Sequence, residues 1–156
     1  MKPTLYILCG VSGCGKTTWA YKFMNEDEDV RYVSRDDIRF SLLKDGEDYF
    51  AHEKEVFKRF SGTLAQTLLY GYDVIADATH LNSASRQKLT RAIDRIYKDY
   101  QVVYVVFTIS AAACKKHNMM RAGLHCVPDE VIDKMINNFE KPNFEEDTRC
   151  VEIWEM

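Results

Sequence analysis

Short apolar runs along the chain alternate with longer amphipathic segments, and this pattern predicts strands separated by helices. The run at residues 5–9 ends in a glycine and is typical of a buried strand. Similar runs occur at residues 30–34, 73–77, 101–109 and 150–154. The fourth is the longest, which predicts a central strand buried on both faces. Strands alternating with helices favour the α/β class, with a parallel sheet covered on both sides.

The segments between these runs have helical periodicity. Phe57, Phe60, Leu64 and Leu68 recur at spacings of three and four, which predicts a long helix that Gly71 closes. The other predicted helices cover residues 16–25, 36–43, 83–100, 111–121 and 128–139. No repeat, low-complexity tract or linker interrupts the order. We therefore expect a single domain over residues 1–156, built as a doubly wound parallel sheet flanked by helices.

The composition is that of an ordinary globular protein, with 46% hydrophobic and 29% charged residues. No apolar run approaches the roughly 20 residues that span a bilayer, so we expect no membrane partner. The 5 cysteines are scattered and lack the spacing of metal ligands. This usage favours reduced thiols and a cytoplasmic location.

The net charge of −3 argues mildly against a nucleic-acid partner, but the charge is unevenly distributed. Residues 86–98 contain a single acid, Asp94, among five bases: Arg86, Lys88, Arg91, Arg95 and Lys98. This stretch is either a solvated helix face or a patch that binds phosphates. The pattern leaves both interpretations open, as it leaves the oligomeric state open.

A glycine-rich loop, GVSGCGKT at residues 10–17, lies between the first predicted strand and the first predicted helix. It matches the pattern GxxxxGK[ST], whose backbone N–H groups surround anionic oxygens at a helix N-terminus. We expect a nucleoside triphosphate here, with Lys16 bridging its β- and γ-phosphates and Thr17 ligating Mg²⁺. The candidate nucleotide-binding residues are Gly10, Ser12, Gly13, Cys14, Gly15, Lys16, Thr17 and Thr18.

The other strings of the sequence narrow the class of triphosphate-binding protein. The guanine-reading string Asn-Lys-x-Asp of GTPases is absent. Motor ATPases and helicases carry two acids in a row after a strand, whereas this chain has Asp77-Ala78. With these classes excluded, the remaining class is the small kinases. A kinase needs an acid to orient the acceptor hydroxyl and cations to stabilise charge on the transferred group.

The segment SRDDIR at residues 34–39 follows the second predicted strand and supplies a candidate acid. Neighbouring strands of a doubly wound sheet open onto the same crevice, so we expect this segment to face the glycine loop. Asp36 and Arg39 lie three residues apart, and on a helix they could together hold a hydroxyl and a nearby phosphate. The same spacing equally fits a capping aspartate with a surface ion pair.

These motifs together resemble those of the bacteriophage polynucleotide 5′-kinases and their bacterial and animal end-healing relatives. The resemblance covers nearly the whole chain and includes the glycine loop with residues 17–19, RDDIR at 35–39, DATHLN at 77–82, and Arg121 before Val127-Pro128. It implies the P-loop kinase fold with a small helical lid, and ATP and Mg²⁺ as cofactors. A 3′-phosphatase activity is not expected, because the string Asp-x-Asp-x-Thr is absent.

The resemblance also implies a catalytic set of Asp36, Lys16 and Arg121. Asp36 would be the general base on a 5′-hydroxyl, and Arg39 would bind the phosphate just 3′ of that nucleoside. Arg121 would lie in a lid over the ATP phosphates, where relatives often carry a second arginine at the position of His117.

The segment after the third predicted strand completes the expected site. Asp77 would be an essential acid near the acceptor or the phosphates. Thr79, His80 and Asn82 could contact an acceptor phosphate, and Arg86 could add a cation.

Three functions follow from these residues. The leading hypothesis is a polynucleotide 5′-hydroxyl kinase acting on DNA or RNA ends. The first alternative is a kinase for a small hydroxyl acceptor such as a nucleoside, a sugar acid or a nucleotide-sugar. The second alternative is a nucleotide-gated binding module without catalytic transfer.

Overall fold

The computed structural model describes residues 1–121, 123 and 126–156. Its strands are β1 Thr4–Cys9, β2 Val30–Ser34, β3 Asp73–Asp77, β4 Gln101–Val106 and β5 Cys150–Glu155. They form one sheet in the order β2-β3-β1-β4-β5, and all four pairings are parallel. Because parallel strands need crossover connections, helices join most of them and cover both faces.

The helices are α1 Lys16–Glu26, α2 Arg35–Leu42, α3 Glu53–Leu69, α4 Ser83–Asp94, α5 Ala111–Met119 and α6 Asp129–Asn137. Side-chain caps set the start of three of them. The hydroxyl of Ser34 accepts from the N–H of Asp37 at α2, and Asn82 and Ser110 cap α4 and α5 in the same way.

Two apolar clusters lie on the two faces of the sheet. Leu5 and Ile7 of β1 belong to one cluster, in which α3 and α4 contribute Phe60 and Ile93. Leu8 points to the opposite face and belongs to the other cluster, beside residues of α1 and α6. The alternation along β1 follows from the two-residue period of a strand. The prediction of a doubly wound parallel sheet flanked by helices is confirmed.

Two predicted elements are too long. The helix predicted over residues 83–100 ends at Asp94, where the N–H groups of Ile96 and Tyr97 both bond to the carbonyl of Ile93. The apolar residues beyond that turn extended the helical pattern, but they belong to the connection into β4. The strand predicted over residues 101–109 ends at Val106, after which the N–H of Phe107 still donates to Cys9.

None of the helices within the described ranges combines the length and the apolar character that a membrane crossing requires.

Candidate active site

A cavity of about 1200 Å³ opens at the carboxyl ends of the central strands. This is where parallel α/β sheets bind ligands, because the loops after neighbouring strands converge there. Its walls are the glycine loop and α1, the start of α2, the segment around Tyr49 and Glu53, the end of β3, and residues of α5 and α6. Arg121 and His117 also line it.

The glycine loop forms the floor of this cavity. Ser12, Gly13, Cys14, Gly15, Lys16, Thr17 and Thr18 all line it, as predicted nucleotide-binding residues should. Gly13 has φ +81°, and a Cβ there would come within 2.4 Å of the carbonyl oxygen of Cys114. Glycine is required at this position, since the left-handed backbone and the close approach both exclude a side chain.

Gly10 has a different place from the other loop residues. It lies beneath the loop, where its N–H donates to Thr79 and its carbonyl accepts from the ammonium of Lys16 at 2.9 Å. The same ammonium donates to Val11 at 2.9 Å. Lys16 is therefore held by the loop's own carbonyls.

Thr17 and Asp77 form a polar corner beside the loop. The hydroxyl of Thr17 donates to Oδ2 of Asp77 at 2.9 Å, and the phenol of Tyr32 donates to the same oxygen at 2.5 Å. Burial and then the charge of Asp77 raise the pKa of Tyr32, so the phenol stays protonated and remains a donor.

This corner fits Mg²⁺ better than most metals. Hydroxyl and carboxylate oxygens are the ligands that Mg²⁺ prefers, and Mg²⁺ takes few ligands from protein because phosphates and waters supply the rest. Among the residues that the structure describes, no cluster of three His, Cys, Asp or Glu side chains forms a complete protein metal site. Thr17 and Asp77 are thus the residues that would hold the ion.

Asp36 lies across the cavity from the loop, and its two oxygens differ. Oδ1 accepts from Nη1 of Arg39 and from the phenol of Tyr49 at 2.7 Å. Oδ2 lies 4.0 Å from Nη2 of Arg121, and within the described residues it accepts no hydrogen bond. One oxygen is therefore anchored, while the other lies nearest Arg121, which lines the cavity together with Asp36.

Arg39 is 5% exposed and is neutralised by its neighbours. Its Nη2 pairs with Glu53 at 2.7 Å, and its guanidinium lies 4.3 Å from the centre of the Tyr49 ring. Burial acts to lower the pKa of Arg39, but hydrogen bonds to Glu53 and the nearby negative charge of Asp36 raise it overall. The cation stays charged, and an acceptor phosphate would have to share it with two carboxylates.

Arg86 was predicted to bind phosphate, and the structure places it elsewhere. It is 1% exposed, and its Nε and Nη2 each donate to the carboxylate of Glu146 at 2.8 Å. Its Nη1 donates to the carbonyl of His80 at 2.7 Å. The guanidinium has its hydrogen-bond partners inside the protein, because α4 directs the side chain toward Glu146 and away from solvent. We therefore withdraw it as a substrate ligand.

His80 and Asn82 also lie outside the main cavity. Asn82 caps α4, its side chain accepting from the N–H of Ser85, so its polar group is used locally. His80 is buried, with its Nδ1 2.7 Å from the carbonyl of Leu8. Ala78 and Thr79, between β3 and His80, do line the main cavity. The expectation that His80 and Asn82 contact an acceptor phosphate is not supported by this placement.

The segment predicted to form a lid includes α5 and α6. His117 reaches back to the glycine loop, with Nδ1 3.0 Å from the carbonyl of Gly13. Lys115 pairs with Asp133 at 2.9 Å, which ties α5 to α6. Arg121 follows α5 and lines the cavity, with its Nη2 4.0 Å from Oδ2 of Asp36.

Sequence reasoning missed Tyr32, Tyr49 and Glu53. Tyr32 lies within β2, where its apolar ring fits the strand pattern and hides the role of its phenol. Tyr49 lies in a segment without periodicity, and Glu53 begins α3 as many acids begin helices. None of the three belongs to a recognisable string, so only their contacts with Asp77, Asp36 and Arg39 reveal them.

Residues 5–142 match the AAA domain family. In the Pnkp1/Rnl/Hen1 RNA repair complex, a chain is similar with a TM-score of 0.75 and 23% identity, over 88% of this chain and 44% of that one. A sugar kinase from Janibacter sp. HTCC2649 has a TM-score of 0.69 and 16% identity, over 99% and 86% of the two chains. A fungal RNA kinase has a TM-score of 0.68 and 13% identity, over 99% of this chain and 38% of that one.

The two RNA-related structures are much longer than this protein, which spans less than half of each. At these identities the likenesses establish a shared fold. The family match, by contrast, covers most of the chain and includes the glycine loop, Asp36 and Asp77. The chain therefore belongs to the AAA domain family and has the fold of the P-loop kinases, which implies nucleotide binding.

Proposed function

We propose that this protein is an ATP- and Mg²⁺-dependent polynucleotide 5′-hydroxyl kinase. The observation that carries the proposal is the asymmetric carboxylate of Asp36. Its Oδ1 is anchored by Arg39 and Tyr49, its Oδ2 lies 4.0 Å from Arg121, and Asp36 lines the same cavity as the glycine loop. A carboxylate held in this way is suited to accept the proton of a hydroxyl that enters opposite the terminal phosphate.

The transfer exchanges one phosphorus–oxygen bond for another. The acceptor oxygen bonds to the γ-phosphorus, its proton passes to Oδ2 of Asp36, and the bond to the β–γ bridging oxygen breaks, releasing ADP. Lys16 and Arg121 line the same cavity and would stabilise the negative charge that develops on the transferred group. Mg²⁺, when bound, neutralises charge on the β- and γ-phosphates. Thr17 and Asp77 hold the position for it, and Tyr32 fixes the carboxylate of Asp77.

Two features support a nucleic-acid acceptor over other hydroxyl compounds. Arg39 lies one helical turn from Asp36, close enough for an acceptor to contact both with a hydroxyl and a neighbouring phosphate. The cavity also extends past Tyr49 and Phe50, and Phe50 is 63% exposed there, which offers an aromatic face to a base.

A small hydroxyl acceptor remains the second candidate, because one observation favours it. Arg39 is compensated by Asp36 and Glu53, so the acceptor side of the cavity offers little uncompensated positive charge for a phosphate chain. A neutral hydroxyl compound, such as a sugar acid or a nucleoside, would need only Asp36 and neutral donors like Tyr49.

The test is transfer of labelled γ-phosphate from ATP to a panel of acceptors: 5′-OH DNA, 5′-OH RNA, a 3′-mononucleotide, a free nucleoside and a sugar acid. We expect label on the oligonucleotides and on the 3′-mononucleotide, with binding of the oligonucleotides weakening steeply as salt rises. Label confined to the nucleoside or the sugar acid would instead establish the small-acceptor kinase.

The variant Asp36→Asn tests the base directly. It should lose about 10²- to 10⁴-fold in the rate of transfer, the usual contribution of general base catalysis, while ATP binding measured by calorimetry stays unchanged. Asp37→Asn is the matched control, because Asp37 is an exposed carboxylate on the same turn. Equal rates in Asp36→Asn and wild type would refute the role of Asp36.

A further inference from the structure

Helix α4 presents a stripe of three cations to solvent. Lys88, Arg91 and Arg95 are all exposed, and Arg95 continues the helical conformation as the capping residue of α4. Their spacing of three and then four residues places them on one face of the helix. Buried residues of α4, such as Leu89 and Ile93, lie on the opposite face. The stripe is therefore the outer surface of a helix whose inner surface packs against the core.

The positive charge of this stripe is uncompensated. None of its three side chains forms an ion pair with a residue that the structure describes. The acids of α3 and α4 do not neutralise it, because each has an arginine partner of its own. These pairs are Glu53 with Arg35 and Arg39, Glu55 with Arg59, and Asp94 with Arg149. The acceptor side of the main cavity offers little uncompensated positive charge, whereas the outer face of α4 offers three cations.

A series of contacts runs from the candidate base to the edge of the main cavity. Arg39, which pairs with Asp36, also pairs with Oε1 of Glu53 at 2.7 Å. The same oxygen accepts from Nη2 of Arg35 at 2.8 Å. All four residues line the main cavity, so they form one ion-paired wall that begins at Asp36 and ends at Arg35.

Phe57 connects this wall to the stripe. The guanidinium carbon of Arg35 lies 5.6 Å from the centre of the Phe57 ring, and the ammonium of Lys88 lies 4.6 Å from the same centre. A smaller cavity of about 140 Å³ lies at this point. It shares Arg35 and Thr79 with the main cavity as lining residues, and Leu89 of α4 also lines it. The recess therefore continues from the main cavity to the helix that carries the stripe.

The dimensions of the stripe suit a chain of phosphates. From Lys88 to Arg95 the helix rises about 10 Å. This length is roughly three base steps of a nucleic-acid strand, at about 3.4 Å each. Lysine and arginine side chains bind backbone phosphates of any sequence, and the binding is favoured by release of the counterions condensed on the strand.

We propose that the stripe of Lys88, Arg91 and Arg95 binds the phosphate backbone of the acceptor strand downstream of its 5′ end. The inference rests on the proposed function, because it requires a polynucleotide acceptor. The 5′-terminal nucleoside reaches Asp36, the strand leaves the main cavity past Arg35, and its later phosphates lie along α4. The stripe supplies affinity and takes no part in the chemistry, since it does not contact the reacting atoms.

Acceptor length tests this path without changing the protein. A 5′-OH dinucleotide is compared with a 5′-OH dodecanucleotide at low salt. The KM should be lower for the dodecanucleotide by about tenfold or more, because only the longer strand reaches α4. The value of kcat should be alike for the two acceptors. Equal KM values would overturn the inference.

The double variant Arg91→Gln/Arg95→Gln tests the stripe itself. It should raise the KM for the dodecanucleotide by about tenfold and leave the KM for the dinucleotide unchanged. The slope of the logarithm of dodecanucleotide affinity against that of salt concentration should fall in magnitude by about 1.4, since each phosphate contact with a single strand contributes about 0.7. The matched control, Lys2→Gln/Arg31→Gln, removes the same charge at two exposed residues near the amino ends of β1 and β2. It should change neither quantity.

The outcomes separate the stripe from the kinase activity. If both double variants raised the KM for the dodecanucleotide equally, the effect would come from overall charge, and the inference would be overturned. It would also be overturned if Arg91→Gln/Arg95→Gln kept the wild-type KM and salt slope, since the stripe would then serve another partner or none. The kinase proposal would stand in both cases. Failure of the wild-type protein to phosphorylate any oligonucleotide would instead overturn the kinase proposal itself.

Discussion

Replacing Arg86 by methionine separates a structural from a substrate-binding role for this cation. The side chain is 0% exposed, and its partner Glu146 is 4% exposed. Methionine fills similar space but leaves the Glu146 carboxylate buried without a counter-ion, and it removes the donor to the carbonyl of His80. Removing one member of a buried ion pair costs about 3–5 kcal/mol. That is a large share of the roughly 5–15 kcal/mol of a typical domain.

The assay is urea unfolding followed by steady-state kinetics on the folded fraction. We expect the free energy of unfolding to fall by about 3–5 kcal/mol in Arg86→Met. The KM for a 5′-OH oligonucleotide should change little. Arg91→Met on the same helix is the matched control, because Arg91 is exposed and its replacement should alter stability by less than about 0.5 kcal/mol.

A second substitution tests the pairing itself. Adding Glu146→Leu to Arg86→Met removes the orphaned carboxylate and should recover much of the lost stability, since a buried pair is often replaceable by apolar residues. The reasoning would be refuted if Arg86→Met were as stable as Arg91→Met while its KM for the oligonucleotide rose tenfold. Arg86 would then be a substrate ligand after all.

Three further changes test other parts of the site. Tyr32→Phe removes a hydrogen bond to Asp77 and should raise the Mg²⁺ concentration for half-maximal activity by about 10- to 100-fold; an unchanged Mg²⁺ titration would contradict this. Gly13→Ala should abolish nucleotide binding in a calorimetric titration, whereas Gly46→Ala, at a similar φ in open space, should not. The pKa of His80 is lowered to about 3 in the folded protein, so as the pH falls the unfolded state binds a proton at His80 before the folded state does. The free energy of unfolding therefore decreases as the pH falls below about 6.5. The loss between pH 7 and pH 5 should be about 2 kcal/mol by urea unfolding and should vanish in His80→Leu.

The elements of the fold could be predicted where the evidence is local. Strand β4 is marked by its own apolar residues, and α3 by the spacing of Phe60 and Leu64, so both were expected in their places. The end of α4 could not be predicted, because Ile96 and Tyr97 continue its apolar pattern, although Ile96 is exposed and Tyr97 packs against the core from outside the helix. Helix ends depend on what the chain meets next, which periodicity does not record.

Some residues of the candidate site could likewise be predicted from local sequence, and others could not. The glycine loop, Asp36 and Asp77 could be located because each follows a strand, and the ends of parallel strands converge. Tyr49 and Glu53 could not, since their role exists only through contacts with Asp36 and Arg39. Arg86 was assigned to the wrong environment, because the sequence of a basic stretch does not show whether a given side chain faces solvent or pairs with a buried acid.

The amino-acid order alone determined the strand sequence, the phosphate-binding loop and the carboxylate after the second strand, because each depends on residues within about ten positions of one another. The folded structure decided which charges are exposed and which are paired. Arg86 and Glu146 are 60 positions apart, and His80 and Leu8 are 72 apart. Such pairs form only when the sheet brings distant segments together, and burial then decides whether a polar group binds a ligand or supports the fold.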